Sequence, residues 1–146
     1  MDRIIREFID WAKSNNWTVE EKETEALDLN TDLISRYKQI PLLYLEFLQN
    51  VKAMISPDES SWFLCEDEYN SNSEIAFKWN EFELISLEAA EGDEEWISEI
   101  SLWWDKKFPI IISVGDGYSF YAIDMSDGKY SVIRGCEPEF EDAELV

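Results

Sequence analysis

The spacing of the apolar residues changes once along this chain, and that change constrains the fold more than any other feature. Up to Trp104 the apolar residues mostly recur at helical intervals, as in helices with one buried face. From Phe108 onward they alternate with other residues, as in strands that bury one face. The change predicts an α+β fold in which helices come first and pack on a mostly antiparallel, curved sheet.

Five segments have the features of helices. Their N-cap candidates are Asp2, Asn30 or Thr31, and Asp93. Pro41 suits the first position of the third helix, because a proline there loses no helical hydrogen bond. The segments are residues 2–16, 30–39, 41–52, 79–92 and 93–107.

Aromatic side chains predict an aromatic-rich core. The chain holds seven Trp, six Tyr and eight Phe, and rings of that size are mostly buried. Trp96, Trp103 and Trp104 form a stripe on the fifth helix, which predicts that they contribute to the core. Lys106 and Lys107 fall in the predicted last turn of this helix, where they complement its dipole.

Four segments have the features of strands: Ser61–Cys65, Ile110–Val114, Tyr118–Asp124 and Lys129–Arg134. Two glycine-containing triplets, Gly115-Asp116-Gly117 and Ser126-Asp127-Gly128, separate the last three and predict tight turns in a meander. Residues 18–28 are predicted to be a loop or a solvated helical turn, and residues 66–74 a polar loop. With no internal repeat or linker, the 146 residues are predicted to form one domain, 1–146.

Charge is the strongest global property of the chain. The 33 acidic and 12 basic residues give a net charge of −21. A nucleic acid or an anionic membrane is disfavoured as partner, because phosphate contacts need basic patches. A basic protein would be attracted by such a field, although the acidity is also consistent with a role in solubility alone.

Few catalytic chemistries fit the composition. Histidine is absent, and neither a Walker-type nor a dinucleotide-binding glycine motif occurs, so we predict no enzyme activity and no cofactor. Asp116 lies in a turn where it is either a metal ligand or, as we predict, a turn residue. The acidic run Glu137–Glu144 is either a solvated tail or a docking edge for a basic partner, anchored by Phe140.

A cytoplasmic location is predicted, because the sequence shows no secretory signal, no membrane span and no cysteine spacing typical of disulfides. Asp2 and Glu7 lie near the N-terminus without a continuous apolar run, which excludes an ordinary secretory signal, and no stretch of about 20 apolar residues occurs. Cys65 and Cys136 have neither a CxxC nor a zinc-site spacing, which favours free thiols over a disulfide or reactive pair.

Six short motifs follow one another along the chain: Ile40-Pro41 with Tyr44, Phe47 and Leu48; WFLC; WNEFE; WWD; FPIIISVGDGYSFYAID; and RGCEPEFED. This ordered set resembles the SMI/KNR family of the SUKH superfamily, and its bacterial branch in particular. The resemblance covers roughly residues 25–142. The chain departs from the family pattern at residues 49–52, where relatives often have an Asn-Gly step, and relatives commonly continue into a further C-terminal helix.

The resemblance implies a function in protein binding. Bacterial members are regarded as cytoplasmic immunity proteins that bind and neutralise a cognate polymorphic toxin, often a nuclease, whereas fungal members are regulatory interaction proteins. A regulatory or scaffold module without a toxin partner, and a small-ligand binder, remain alternatives. No catalytic residue set is implied, and we expect a monomer or weak homodimer.

The partner-binding residues are predicted from local acid density and from loop positions. Acids at a sheet edge and near the C-terminus could occupy the basic groove of a toxin by mimicking phosphate charge. The predicted residues are Glu66, Asp67, Glu68, Asp116, Glu137, Glu139, Glu141 and Asp142.

Overall fold

The change of period at Phe108 marks the boundary between the last helix and the long strands of the sheet. The computed structural model describes residues 1–146 and contains six helices and seven strands. The helices are Arg3–Ser14 (α1), Thr31–Arg36 (α2), Leu42–Asn50 (α3), Glu66–Tyr69 (α4), Glu81–Ala89 (α5) and Glu94–Trp104 (α6). The strands are Thr18–Glu21 (β1), Val51–Ile55 (β2), Ser61–Phe63 (β3), Lys107–Ser113 (β4), Ser119–Asp124 (β5), Ser131–Cys136 (β6) and Glu139–Leu145 (β7).

All seven strands belong to one antiparallel sheet and lie in it in chain order. This arrangement confirms the predicted α+β class and the C-terminal meander. The β4–β5 hairpin closes with Ser113 opposite Ser119, so the Gly115-Asp116-Gly117 triplet is a turn, as predicted. Gly117 and Gly128 have φ values of +78° and +74°, which suit glycine because it has no Cβ.

Local side-chain bonds start three of the helices. Asp2 Oδ1 accepts a hydrogen bond from the Ile4 amide, and Asn30 Oδ1 accepts one from the Asp32 amide, both at 2.8 Å. Asp93 Oδ1 accepts from the amide of Trp96 at 3.1 Å in the same way. These bonds confirm the predicted caps and select Asn30 over Thr31. Pro41 occupies the N-cap of α3, one position before the predicted one.

Strand pairing overturns two predictions in the first half of the chain. Residues 18–21 form β1 rather than a loop or helical turn, because they pair with β2. The helix predicted over residues 41–52 ends at Asn50, and Val51 begins β2. Both strands depend on a partner distant in sequence, so their own residues do not predict them.

Three predictions change from residue 66 onward. Residues 66–69 of the predicted polar loop form α4. The last helix ends at Trp104, so Lys107 begins β4 instead of lying in the last helical turn. The acidic C-terminal run is not a solvated tail, because Glu139–Leu145 forms β7 at the edge of the sheet.

Helices cover parts of both faces of the sheet. On one face Phe8 of α1 and Phe47 of α3 pack against Phe63 of β3, with ring centroids 5.6 and 5.3 Å away. On the other face Phe82 of α5 and Trp104 of α6 pack against Phe120 of β5 at 5.9 and 4.8 Å. These ring contacts on both faces form an aromatic-rich core.

The tryptophan stripe of α6 is only partly in this core. Trp104 is 2% exposed and Trp103 is half-buried, whereas Trp96 is 47% exposed. The prediction of a buried stripe is therefore wrong for Trp96, which lies in the first turn of α6 on its solvent side.

Candidate partner-binding surface

The eight predicted acids lie in two groups at opposite ends of β4. The group on α4 lies near the start of that strand, where the Tyr69 hydroxyl donates to the Pro109 carbonyl at 2.6 Å. Asp116 lies at the other end, in the turn between β4 and β5. At a strand rise of about 3.3 Å per residue, the seven residues of β4 separate the two ends by about 20 Å. The structure therefore does not bring all eight acids together.

The acids of α4 are largely engaged within the chain. Glu68 is buried, and its carboxylate accepts a hydrogen bond from the Cys65 amide at 2.9 Å, which completes the start of α4. Burial raises the pKa of Glu68. Glu66 forms an ion pair with Lys22 at 2.6 Å, so only Asp67 of this group has neither a basic partner nor a buried carboxylate.

The C-terminal acids are closer together, and several are exposed. Glu137 Oε1 accepts a hydrogen bond from the Tyr118 amide at 3.2 Å, which joins the loop before β7 to the loop that holds Asp116. Glu139 lies two residues further on and pairs with Cys136, and Asp116, Glu137 and Glu139 are all exposed. Asp116, Glu137 and Glu139 thus form one acidic cluster at the turn end of the sheet.

Glu141 and Asp142 lie further along β7. The Ser86 hydroxyl of α5 donates to Glu141 at 3.0 Å, and burial raises the pKa of this half-buried carboxyl. Asp142 is exposed. Phe140, which the sequence predicts as the anchor of this run, is 4% exposed and stacks on Phe82 at 4.5 Å. Charged side chains on an edge strand also discourage its pairing with strands of other molecules.

Most carboxylates of the protein have no basic partner. Seven of the 12 basic side chains form ion pairs, and these pairs engage eight of the 33 carboxylates. The other 25 carboxylates lie more than 4.0 Å from any basic group. The surface field is therefore negative over much of the molecule.

One acidic surface was missed by reasoning from the sequence. The stretch 79–105, which includes α5 and α6, contains nine acids and no base. Exposed Glu94, Glu95 and Glu99 surround the half-exposed Trp96 on α6. The signal in the sequence was the absence of Lys and Arg between Lys78 and Lys106. The prediction passed over it because it favoured acids in loops, whereas these acids lie on a predicted helix.

The turn aspartates make local hydrogen bonds. Asp124 accepts from the Ser126 amide at 2.9 Å and forms an ion pair with Lys107 at 3.3 Å. Asp127 accepts from the Lys129 amide at 3.0 Å. No group of three or more Asp, Glu or Cys side chains has a geometry that could hold a metal ion. The two cysteines are free, Cys65 buried and Cys136 exposed.

None of the helices combines the length and the apolar character needed to span a bilayer; the longest, α1, has 12 residues. No protein-family model, curated protein or solved structure matches the chain. Membership of the SMI/KNR family therefore stays a prediction that rests on the sequence motifs.

Proposed function

We propose that this chain is a non-catalytic protein-binding module that acts as a bacterial immunity protein, binding and neutralising a cognate polymorphic toxin. One observation carries the proposal: 25 carboxylates without a basic partner surround a domain that has no histidine. A basic protein is the partner that such a field favours, since complementary charge accelerates association and discriminates among partners.

A toxin that acts on nucleic acid is the favoured partner class. The active site of such a toxin has to attract phosphate and is therefore basic. A surface of fixed carboxylates can occupy the same groove, and the same charge repels nucleic acid from the free protein. The resemblance to the SMI/KNR family supports this proposal independently of charge. We propose that the protein acts in the cytoplasm, as a monomer or weak homodimer and without a cofactor.

Rescue from toxicity is the direct test. Where a large secreted protein is encoded beside this gene, co-expression of the chain with the C-terminal domain of that protein should restore growth of a host that the domain alone kills. Growth should recover by at least tenfold in colony count, and the two purified proteins should form a stoichiometric complex. Unchanged killing with both proteins expressed would contradict the proposal and favour a regulatory or scaffold role for the fold.

The C-terminal acids should contribute to affinity for that domain. We expect the combined changes Glu137→Gln, Glu139→Gln, Glu141→Gln and Asp142→Asn to weaken binding by about tenfold or more and to flatten its dependence on salt, because complementary charge mainly sets the rate of association. Calorimetry and stopped-flow kinetics at several salt concentrations provide the measurement.

The matched control is the change of Glu94, Glu95 and Glu99 of α6 to glutamine, which alters a similar charge on another surface. If the α6 variant loses affinity and the C-terminal variant keeps both affinity and salt dependence, the binding surface is α6, and the site predicted from the sequence is wrong.

A further inference from the structure

We propose that a trench across the sheet binds an extended, basic segment of the protein partner. Its floor is a row of small side chains, one from each of four neighbouring strands. In the strand register Ser61 pairs with Ser113, Ser113 with Ser119, and Ser119 with Cys136. Because directly paired residues point to the same face of a sheet, these side chains form one continuous row. We call this row the serine floor.

Large side chains form one wall of the trench. On each strand, the residue two positions from the serine floor points to the same face of the sheet. The register aligns these four residues in a second row: Phe63, Ile111, Tyr121 and Arg134. Trp11 and Trp17, from α1 and the turn after it, also line the space. The difference in height between these side chains and the serine floor leaves a cavity of about 520 Å³.

A polar group on the floor has no partner within the chain. The Ser61 hydroxyl donates to the Ser113 hydroxyl at 2.8 Å. Ser119 is only 5% exposed and lines the cavity, yet its hydroxyl makes no hydrogen bond to another part of the protein. The hydroxyl oxygen is not sealed from the cavity, so a backbone amide or carbonyl of a bound segment can form a hydrogen bond with it.

Arg134 is a second group available to a ligand. Arg3, Arg6 and Arg36 all form ion pairs, whereas Arg134 has no carboxylate within 4.0 Å despite pairing in register with Glu144. Its guanidinium is exposed beside Tyr121 and can donate to backbone carbonyls of a bound segment. Arg, Tyr and Trp are also the residue types that dominate binding energy at protein interfaces.

The opposite rim is acidic, and its four carboxylates outnumber the single cation Arg134, so the charge across the trench favours a basic occupant. Asp58 lines the cavity and accepts hydrogen bonds from the hydroxyls of Ser56 and Ser60 at 2.8 and 2.7 Å. The hydrogen bonds from Ser60 and Ser56 hold the pKa of Asp58 below its usual range. The cluster of Asp116, Glu137 and Glu139 continues this rim towards β7. Lysine or arginine side chains of a segment lying on the serine floor would reach these carboxylates.

The dimensions fit a short extended segment. Four strands at a spacing of about 4.8 Å give the floor a length of about 14 Å, which accommodates four or five residues in extended conformation. This inference rests on the proposed function, because it takes the partner to be a basic protein, and it adds where one segment of that partner lies.

A nuclear magnetic resonance titration tests the location with defined probes. A ten-residue peptide of alternating lysine and alanine should shift the amide signals of Ser61, Ser113, Ser119 and Arg134, whereas the matching glutamate–alanine peptide should shift none. Shifts confined to α5 and α6 would overturn the trench and leave the proposed function standing. Absence of any binding by the lysine peptide would overturn the trench, whereas the proposed function is decided separately by the co-expression test. Binding of cellohexaose in the trench without binding of the lysine peptide would identify a carbohydrate site and overturn the inference.

Filling the trench provides the second readout. Ser119→Tyr should weaken binding of the lysine peptide at least tenfold, and Ser98→Tyr on exposed α6 serves as the matched control. Ser119 is buried, so its replacement by tyrosine could also disturb folding. Cys136→Trp places a large side chain at the exposed end of the serine floor and tests whether the floor binds the peptide with little effect on folding. Folded Cys136→Trp protein with wild-type affinity would exclude the floor as the binding site.

Discussion

Replacing Arg36 with alanine should lower the free energy of unfolding by about 3–5 kcal/mol, since removing one member of a buried ion pair leaves an uncompensated charge. The Arg36 guanidinium donates two hydrogen bonds to the Glu83 carboxylate, at 2.8 and 2.7 Å, and one to Asp105 at 2.8 Å. The Glu83 side chain is only 7% exposed. Arg36 thereby links α2 to α5 and to the end of α6. Urea unfolding monitored by tryptophan fluorescence gives the measurement.

Two further variants separate this mechanism from a general loss of charge. Arg3→Ala removes the exposed Arg3–Glu7 pair and should change stability by less than about 1 kcal/mol. The double change Arg36→Leu with Glu83→Leu removes both charges, so it should be clearly less destabilising than Arg36→Ala. Equal losses for the single and the double variant would show that the buried charge is not the cause.

Phe120→Ala should also lower the free energy of unfolding by about 3–5 kcal/mol, the range for removing a buried aromatic ring. Phe120 is fully buried, and its ring lies 4.8 Å from Trp104 and 5.9 Å from Phe82. Across the strand it covers Gly135, where a Cβ would lie 2.5 Å from the ring. The change therefore leaves a cavity between the sheet and both α5 and α6 that these elements cannot easily close.

The adjacent residue on the same strand supplies the control. Tyr121 points to the opposite face and is half-buried, so Tyr121→Ala should cost about 1 kcal/mol. Thermal and urea unfolding of the two variants would be compared directly. If both variants were destabilised equally, the aromatic core under α5 and α6 would not be the main source of stability on this strand.

The elements that the sequence predicts well are those whose signals are local. Asp2, Asn30 and Asp93 cap their helices by accepting hydrogen bonds from amides only two or three residues away. Such caps can therefore be predicted without knowledge of the fold. The turn at residues 115–117 follows from its glycines, and the strands on either side of it follow from alternation. These local features suffice to predict the α+β class and most of the C-terminal meander.

The missed elements depend on distant partners. Thr18–Glu21 is a strand because β2 lies beside it, and Glu139–Leu145 is a strand because β6 does, although both are rich in acids that disfavour strands. For β7 the burial of Phe140 against Phe82 and the pairing with β6 outweigh that preference. No window of local sequence contains this information.

The acid surplus, the absence of histidine and the change of period at Phe108 are determined by the sequence alone, and they suffice for the class of fold and for the proposal of a basic protein partner. Only the tertiary structure decided which acids remain available. It buried Glu68, engaged Glu66 with Lys22, and brought Asp116 beside Glu137. It also aligned Ser61, Ser113, Ser119 and Cys136 into one row, because strand register relates residues that are up to 75 positions apart in the chain.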